Sequence, residues 1–159
     1  MESRDDGPSR AGLAALRAGL RTKDGVAIEM MPHVAAFLGE REWPSDVWFF
    51  AVGALFALHP QAGGRGSLGE AFGRLRPQSE SIEKRFHLLL GCQEEDLFGH
   101  LIQIVSLLKS SSIPLDWARL LRELTRTPWD ERELQRRWAR DFYQPRSNAA
   151  PPSQADSSD

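Results

Sequence analysis

From Val47 through Leu58 the chain contains only apolar residues and glycine, bracketed by Pro44-Ser45-Asp46 on one side and His59-Pro60 on the other. A helix over Asp46–Leu58 would be hydrophobic nearly all round, and such a helix has to be covered on every side. It is well short of the roughly 18 residues that would span a bilayer, so the cover must come from the rest of this chain. With 159 residues, 41% of them hydrophobic, there is enough chain to build one core around it, and two full domains are not expected. The segment therefore predicts an all-α fold with one central buried helix.

The flanking sequence supplies the covering helices, and no stretch has the period-2 alternation of a strand. Ser9 to Leu20 places Leu13, Leu16 and Leu20 on one face, and Gly25 ends it. Ile28 to Leu38 carries Met30, Met31, Val34, Phe37 and Leu38, with Pro32 marking where the regular helix is expected to begin. Gln61 to Gly66 is a glycine-rich connector lacking the Gly-Lys-Ser/Thr ending of a phosphate loop, so it reads as a mobile surface loop. Ser67-Leu-Gly-Glu70 has the form of a capping box for a short helix running to about Leu75, in which hydroxyl and carboxylate both satisfy free amides.

After Pro77, Ser79 or Ser81 can cap a helix over Glu80 to Cys92 whose Phe86, Leu89 and Leu90 point inward. Glu94-Glu95-Asp96 complements the positive end of the next helix, which runs to Lys109 with Leu97, Leu101, Val105 and Leu108 on a stripe. Pro114 and Asp116 open a helix bearing Trp117, Leu120, Leu121 and Leu124. Thr127-Pro-Trp-Asp130 has the form of a cap for the last helix, where Leu134, Trp138 and Phe142 repeat every four residues to about Tyr143. The expectation is a single bundle of about eight helices over residues 9–143, followed by a disordered tail from 144 to 159 that has too little apolar surface to repay ordering.

Reactive groups do not assemble. His33, His59, His87 and His100 fall on separate segments without the paired spacing of a zinc site, and no cofactor is called for. Cys92 is the lone cysteine, which excludes an internal disulfide and reads as a structural thiol rather than a nucleophile. The polar N-terminus has no signal-peptide core, so a cytoplasmic, membrane-free, non-enzymatic protein is expected.

The cations are more informative. There are 20 Lys plus Arg against 22 Asp plus Glu, but 17 of the 20 are Arg, a residue whose planar fork suits phosphates. A GC-rich genome would favour the same skew; it would not align the residues. Arg10, Arg17 and Arg21 fall close to one line of a helix, as do Arg119, Arg122 and Arg126, and Arg132, Arg136 and Arg140, with Arg137 beside the last set. Glu123 with Arg119 and Asp141 with Arg137 are four apart and could neutralise each other, the mark of a solvated face. Arg10 to Lys23 includes no such partner, and neither does Arg74 with Arg76. Acids concentrate instead at Glu40 to Asp46, Glu94 to Asp96 and the tail. Spacing alone leaves two readings open: a phosphate-facing surface, or a solvated or protein-binding one.

Five motifs in register carry a resemblance. Ala54-Leu-Phe-Ala-Leu-His-Pro60, Gly66-Ser-Leu-Gly69, Ser81-Ile-Glu-Lys-Arg-Phe86 leading into Leu88-Leu-Leu90, Pro114-Leu-Asp-Trp-Ala-Arg-Leu-Leu121 and Arg136-Arg-Trp-Ala-Arg-Asp-Phe-Tyr143 together resemble the CasB family. That family is the small subunit of the type I-E CRISPR surveillance complex, Cascade, and the likeness covers roughly residues 10 to 143. It implies a non-enzymatic helical subunit present with a second copy of itself, beside the backbone subunits that carry the guide RNA and beside the large subunit. It also implies contact with target DNA, including the displaced single strand of the R-loop.

By the resemblance, Lys84 and Arg85 rank first as strand contacts, Arg17 matches an N-terminal basic position, and Lys109, Arg119, Arg132, Arg136 and Arg137 match positions that are often basic. The stripes add Arg21 and Arg122. Trp117, Trp138 and Phe142 match family aromatics but have inward spacing. His100, Ile102, Ser106 and Ala18 stand where arginines are frequent in the family, which implies a reduced basic surface here.

Overall fold

The computed structural model describes residues 9–145, and these form eight α-helices joined by 3-10 turns and loops, with no strand. The helices are α1 (Arg10–Leu16), α2 (Met31–Val34), α3 (Val47–Leu58), α4 (Leu68–Gly73), α5 (Glu80–Gly91), α6 (Glu94–Ser110), α7 (Trp117–Arg126) and α8 (Glu133–Tyr143). Of the tail expected over 144–159, residues 146–159 lie outside the described residues. α3 is the central helix that its sequence demands: Phe50, Ala51, Ala54, Leu55 and Ala57 are buried, enclosed by the N-terminal segment, α6 and α7. α6 joins this group to a second, in which α4 packs on α8 and α5 on α6. Among the described residues no helix is long and apolar enough to cross a membrane.

Close backbone approach governs the second group. Gly69 and Gly73, one turn apart on α4, meet the carbonyls of Trp138 and Phe142, one turn apart on α8; a methyl at Gly69 would stand 2.1 Å from the Trp138 oxygen. With nothing but hydrogens between them, the two backbones come closer than most helix pairs, whose side chains hold their axes about 8–10 Å apart. Trp138 and Phe142 are then fully buried, and Phe142 stacks on Phe86 of α5 at 4.2 Å between centroids.

Ser67 caps α4 by accepting from the Glu70 amide at 3.2 Å, and its hydroxyl donates to Asp141 of α8 at 2.6 Å. The reciprocal half of the capping box is not formed. The Glu70 carboxylate instead folds over Gly66, filling the space a side chain there would need, and the Gly66 φ of +89° favours glycine as well. Ser67→Ala removes a cap and a link to α8 together. It is expected to lower the unfolding free energy by about 1–2 kcal/mol, measurable by urea denaturation.

Three expected boundaries shift. α1, capped by Ser9, ends at Leu16, and Arg17–Arg21 continues as a 3-10 turn in which Gly19 lies against Ala54 and Gly25. A 3-10 turn has three residues per turn, so Arg10, Arg17 and Arg21 do not form the single line expected of a regular helix. Ile28 to Leu38 is a 3-10 turn, the four-residue α2 beginning at Met31 rather than Pro32, and a second 3-10 turn. Thr127-Pro-Trp-Asp130 does not cap α8. Trp129 is drawn inside, donating to the Cys92 carbonyl at 2.9 Å and packing on Trp138, so the chain makes a 3-10 turn over Trp129–Glu131. It then reverses at Arg132 with φ of +66° before α8 begins at Glu133.

Candidate nucleic-acid interface

The sequence-predicted cations divide by whether the fold already uses their donors. Arg17 gives Nε to the Ala57 carbonyl at 3.2 Å, closing the last turn of α3. Arg119 is held by Glu123 at 3.0 Å, and the other oxygen of that buried carboxylate accepts from the Trp138 indole at 2.9 Å. Arg132 donates to the Leu90 carbonyl near the end of α5 at 3.3 Å, and Arg137 to the Thr127 hydroxyl at 3.2 Å. The expected Arg137–Asp141 pair is absent because Asp141 is engaged by Ser67. Lys84, Arg85, Arg21, Lys109, Arg122 and Arg136 are exposed and make no ion pair or side-chain hydrogen bond among the described residues.

Three contacts order α5 against α8: Arg132 reaches Leu90, Phe142 lies on Phe86, and Tyr143 donates to Glu83. The two helices therefore run side by side in opposite directions. Arg136, Arg140 and Tyr143 are spaced i, i+4 and i+7, which puts them on one line of α8. Since Tyr143 meets Glu83 and lies 2.7 Å from His87 Nε2, that line borders the seam with α5, where Lys84 follows Glu83. The seam thus gathers Arg132, Arg136 and Arg140, while Lys84, about 100° round α5 from Glu83, stands on its exposed crest beside Leu88, itself 61% exposed, with Arg85 beyond. Arg17, Arg21, Arg119 and Arg122 belong to segments packed around α3 instead, and Lys109 lies in the last turn of α6.

The aromatic end of the seam is fixed. Arg76 stands over the Tyr143 ring at 4.9 Å and the Phe142 ring at 5.3 Å, so it is committed to cation–π contacts. Partial burial, and then the hydrogen bond and charge of Glu83, push the Tyr143 phenol above its ordinary value and keep it protonated. Sequence reasoning placed Arg140 in a stripe without assigning it a contact, and it missed His87 and Tyr143 here. The i, i+4, i+7 spacing of Arg136, Arg140 and Tyr143 was the available signal.

Trp138 and Phe142 are fully buried, in keeping with their inward spacing, whereas Trp117 is only partly buried and donates its indole N–H to the Gln61 carbonyl at 3.0 Å. Cys92 is half-buried, and desolvation followed by the charge of Asp96 pushes its thiol up, which keeps it in the unreactive protonated form at neutral pH. Among the described residues no three His, Cys, Asp or Glu side chains are grouped to hold a metal.

Residues 12–143 match the family model described as CRISPR-associated protein Cse2. The chain is 35% identical over 137 residues to the Cse2 protein of Thermus thermophilus, covering 84% of this chain and 79% of that one. The crystal structure of M. ruber CasB superimposes with a TM-score of 0.73 at 34% identity, covering 86% of this chain and 85% of the other. A chain of a CRISPR RNA-guided surveillance complex gives 0.66 at 25% identity over 84% and 87%. With an all-helical fold, one family model spanning nearly every described residue and relatives above 30% identity over most of both chains, this protein belongs to the Cse2 (CasB) family.

Proposed function

We propose that this chain is a non-enzymatic small subunit of a type I-E CRISPR surveillance complex that contacts target DNA without reading its sequence and stabilises the R-loop, chiefly through the displaced strand. Its partners are a second copy of itself, the backbone subunits carrying the guide RNA, the large subunit and the target DNA. The observation that carries the reading is the exposed surface from the α5 crest to the α5–α8 seam, where Lys84, Arg136 and Arg140 make no ion pair or side-chain hydrogen bond among the described residues, while neighbouring Arg132 and Arg137 each give one donor to the fold. Exchange of a DNA duplex for a guide heteroduplex is nearly balanced in energy, so a few phosphate contacts to the freed strand suffice to shift it. Such contacts work by counterion release and need no fixed register with the bases.

The test is target-duplex binding by the purified complex across a salt series, with Lys84→Ala/Arg85→Ala and, separately, Arg136→Ala/Arg140→Ala. Each lost phosphate contact to a single strand lowers the slope of log affinity against log salt by about 0.7. A slope reduced by more than one in either double variant is the expected result. Unchanged affinity and slope in both variants would remove these residues as contacts.

One observation favours a second reading, a spacer joining other subunits without significant DNA binding: Arg17, Arg119, Arg132 and Arg137 each give a donor to the fold itself. A spacer predicts that leaving the chain out disrupts assembly, while charge reversal along the stripes leaves DNA binding intact.

A further inference from the structure

Asp24 and the acidic start of α6, far apart in sequence, meet beside the N-terminal end of α3. The loop before α3 brings Trp43 and Pro44 over the first turn of α6, and together with Trp48 they floor a groove of about 380 Å³ rimmed by Asp24, Glu94 and Glu95. Trp43 is 76% exposed, the largest aromatic surface that the described residues leave uncovered. Of the nearby cations, Lys23 and Arg41 are engaged. Lys23 pairs with Asp96 at 3.7 Å, and Arg41 lies over Phe49 at 4.8 Å while donating to the Leu38 carbonyl. Arg126 lines only the adjoining cleft, which shares Pro44, Trp48 and Glu94. One oxygen of Asp24 accepts from the Val26 amide at 3.1 Å; Glu94 and Glu95 make no ion pair among the described residues.

We infer that this groove docks an arginine-bearing segment of another protein. An exposed indole beside unpaired carboxylates is complementary to a guanidinium, which stacks flat on the ring while its edge donates to the acids. An acidic rim repels nucleic acid, so this surface is separate from the α5–α8 seam, and exposed tryptophan is the residue type most often dominant at protein contacts. Arginine is preferred to lysine, whose compact ammonium cannot stack and donate in plane at once.

The probe is a synthetic Gly-Arg repeat peptide titrated calorimetrically into the full chain, with Gly-Lys and Gly-Glu repeats as comparisons. The variants are Trp43→Ala and Glu94→Gln/Glu95→Gln, all at exposed positions, with circular dichroism confirming that they fold. Saturable binding of the Gly-Arg peptide, weaker with Gly-Lys, absent with Gly-Glu and lowered about tenfold in each variant, is the expected result. The inference is overturned if the wild-type chain does not saturate, or if the variants bind as well as the wild type. It is equally overturned if sedimentation shows a self-association that Trp43→Ala abolishes, since the groove would then belong to a second copy.

Discussion

Alanine at Gly69 is expected to destabilise the fold by about 3 kcal/mol, at the upper end of what overpacking costs. The added methyl would stand 2.1 Å from the Trp138 carbonyl oxygen and 2.8 Å from its carbon, and neither atom belongs to a side chain that can rotate away. α8 must therefore translate as a body. That movement disturbs the Phe142–Phe86 stack and the Ser67–Asp141 hydrogen bond at once. A paired control separates this collision from the general effect of alanine on helices. Gly99 lies exposed in α6, and a methyl added there would meet nothing within 4 Å. At that position the same substitution is expected to stabilise by about 0.5–1 kcal/mol, because glycine is the poorer helix former. Opposite shifts of the urea midpoint for Gly69→Ala and Gly99→Ala are the expected pattern; a Gly69→Ala protein as stable as wild type would mean that α4 and α8 are not in backbone contact.

Glu123→Ala is expected to cost about 3 kcal/mol. Glu123 is 7% exposed, and its two oxygens are each used, one by the Trp138 indole and one by Arg119. Truncation leaves a buried N–H without an acceptor and a partly buried guanidinium without its counter-charge, two of the recognised sources of large mutational effects. Glu123→Gln keeps an oxygen for Trp138 but loses the charge-assisted bond to Arg119, and about 1–2 kcal/mol is expected. Guanidinium denaturation of the two variants gives the ranking. The same residues separate structural arginines from those proposed to contact the strand. Arg119→Ala should lower stability with little effect on the salt slope of DNA binding, and Arg136→Ala the reverse.

The long elements were legible because each carries its own pattern. α3 follows from an uninterrupted apolar run, α5 from its serine cap and inward phenylalanine and leucines, α6 from its acidic start and leucine stripe, and the inward line of α8 from Leu134, Trp138 and Phe142. Departures occur where a distant contact overrides a local signal. Thr127-Pro-Trp-Asp130 has a good capping pattern, but burying Trp129 against Trp138 gains more than a cap does, and the helix starts later. Gly19 lets the chain press on Ala54, and the first helix tightens into a 3-10 turn. For the site, spacing grouped the arginines of α8 on one line. It carried no information on whether a carbonyl such as that of Ala57 or Leu90 would claim the donor, because those acceptors come from other parts of the chain.

The Gly69–Gly73 contact also bears on how this sequence can drift. Where two helices are spaced by side chains, each exchange of a core residue for a larger or smaller one resets the distance between them, and outward-facing groups move with it. Here the spacing of α4 and α8 is set by main-chain atoms rather than by the size of a core side chain. The position of Arg136 and Arg140 relative to α4 is thus tied to a pair of missing side chains, while their distance from α5 still depends on the Phe142–Phe86 stack.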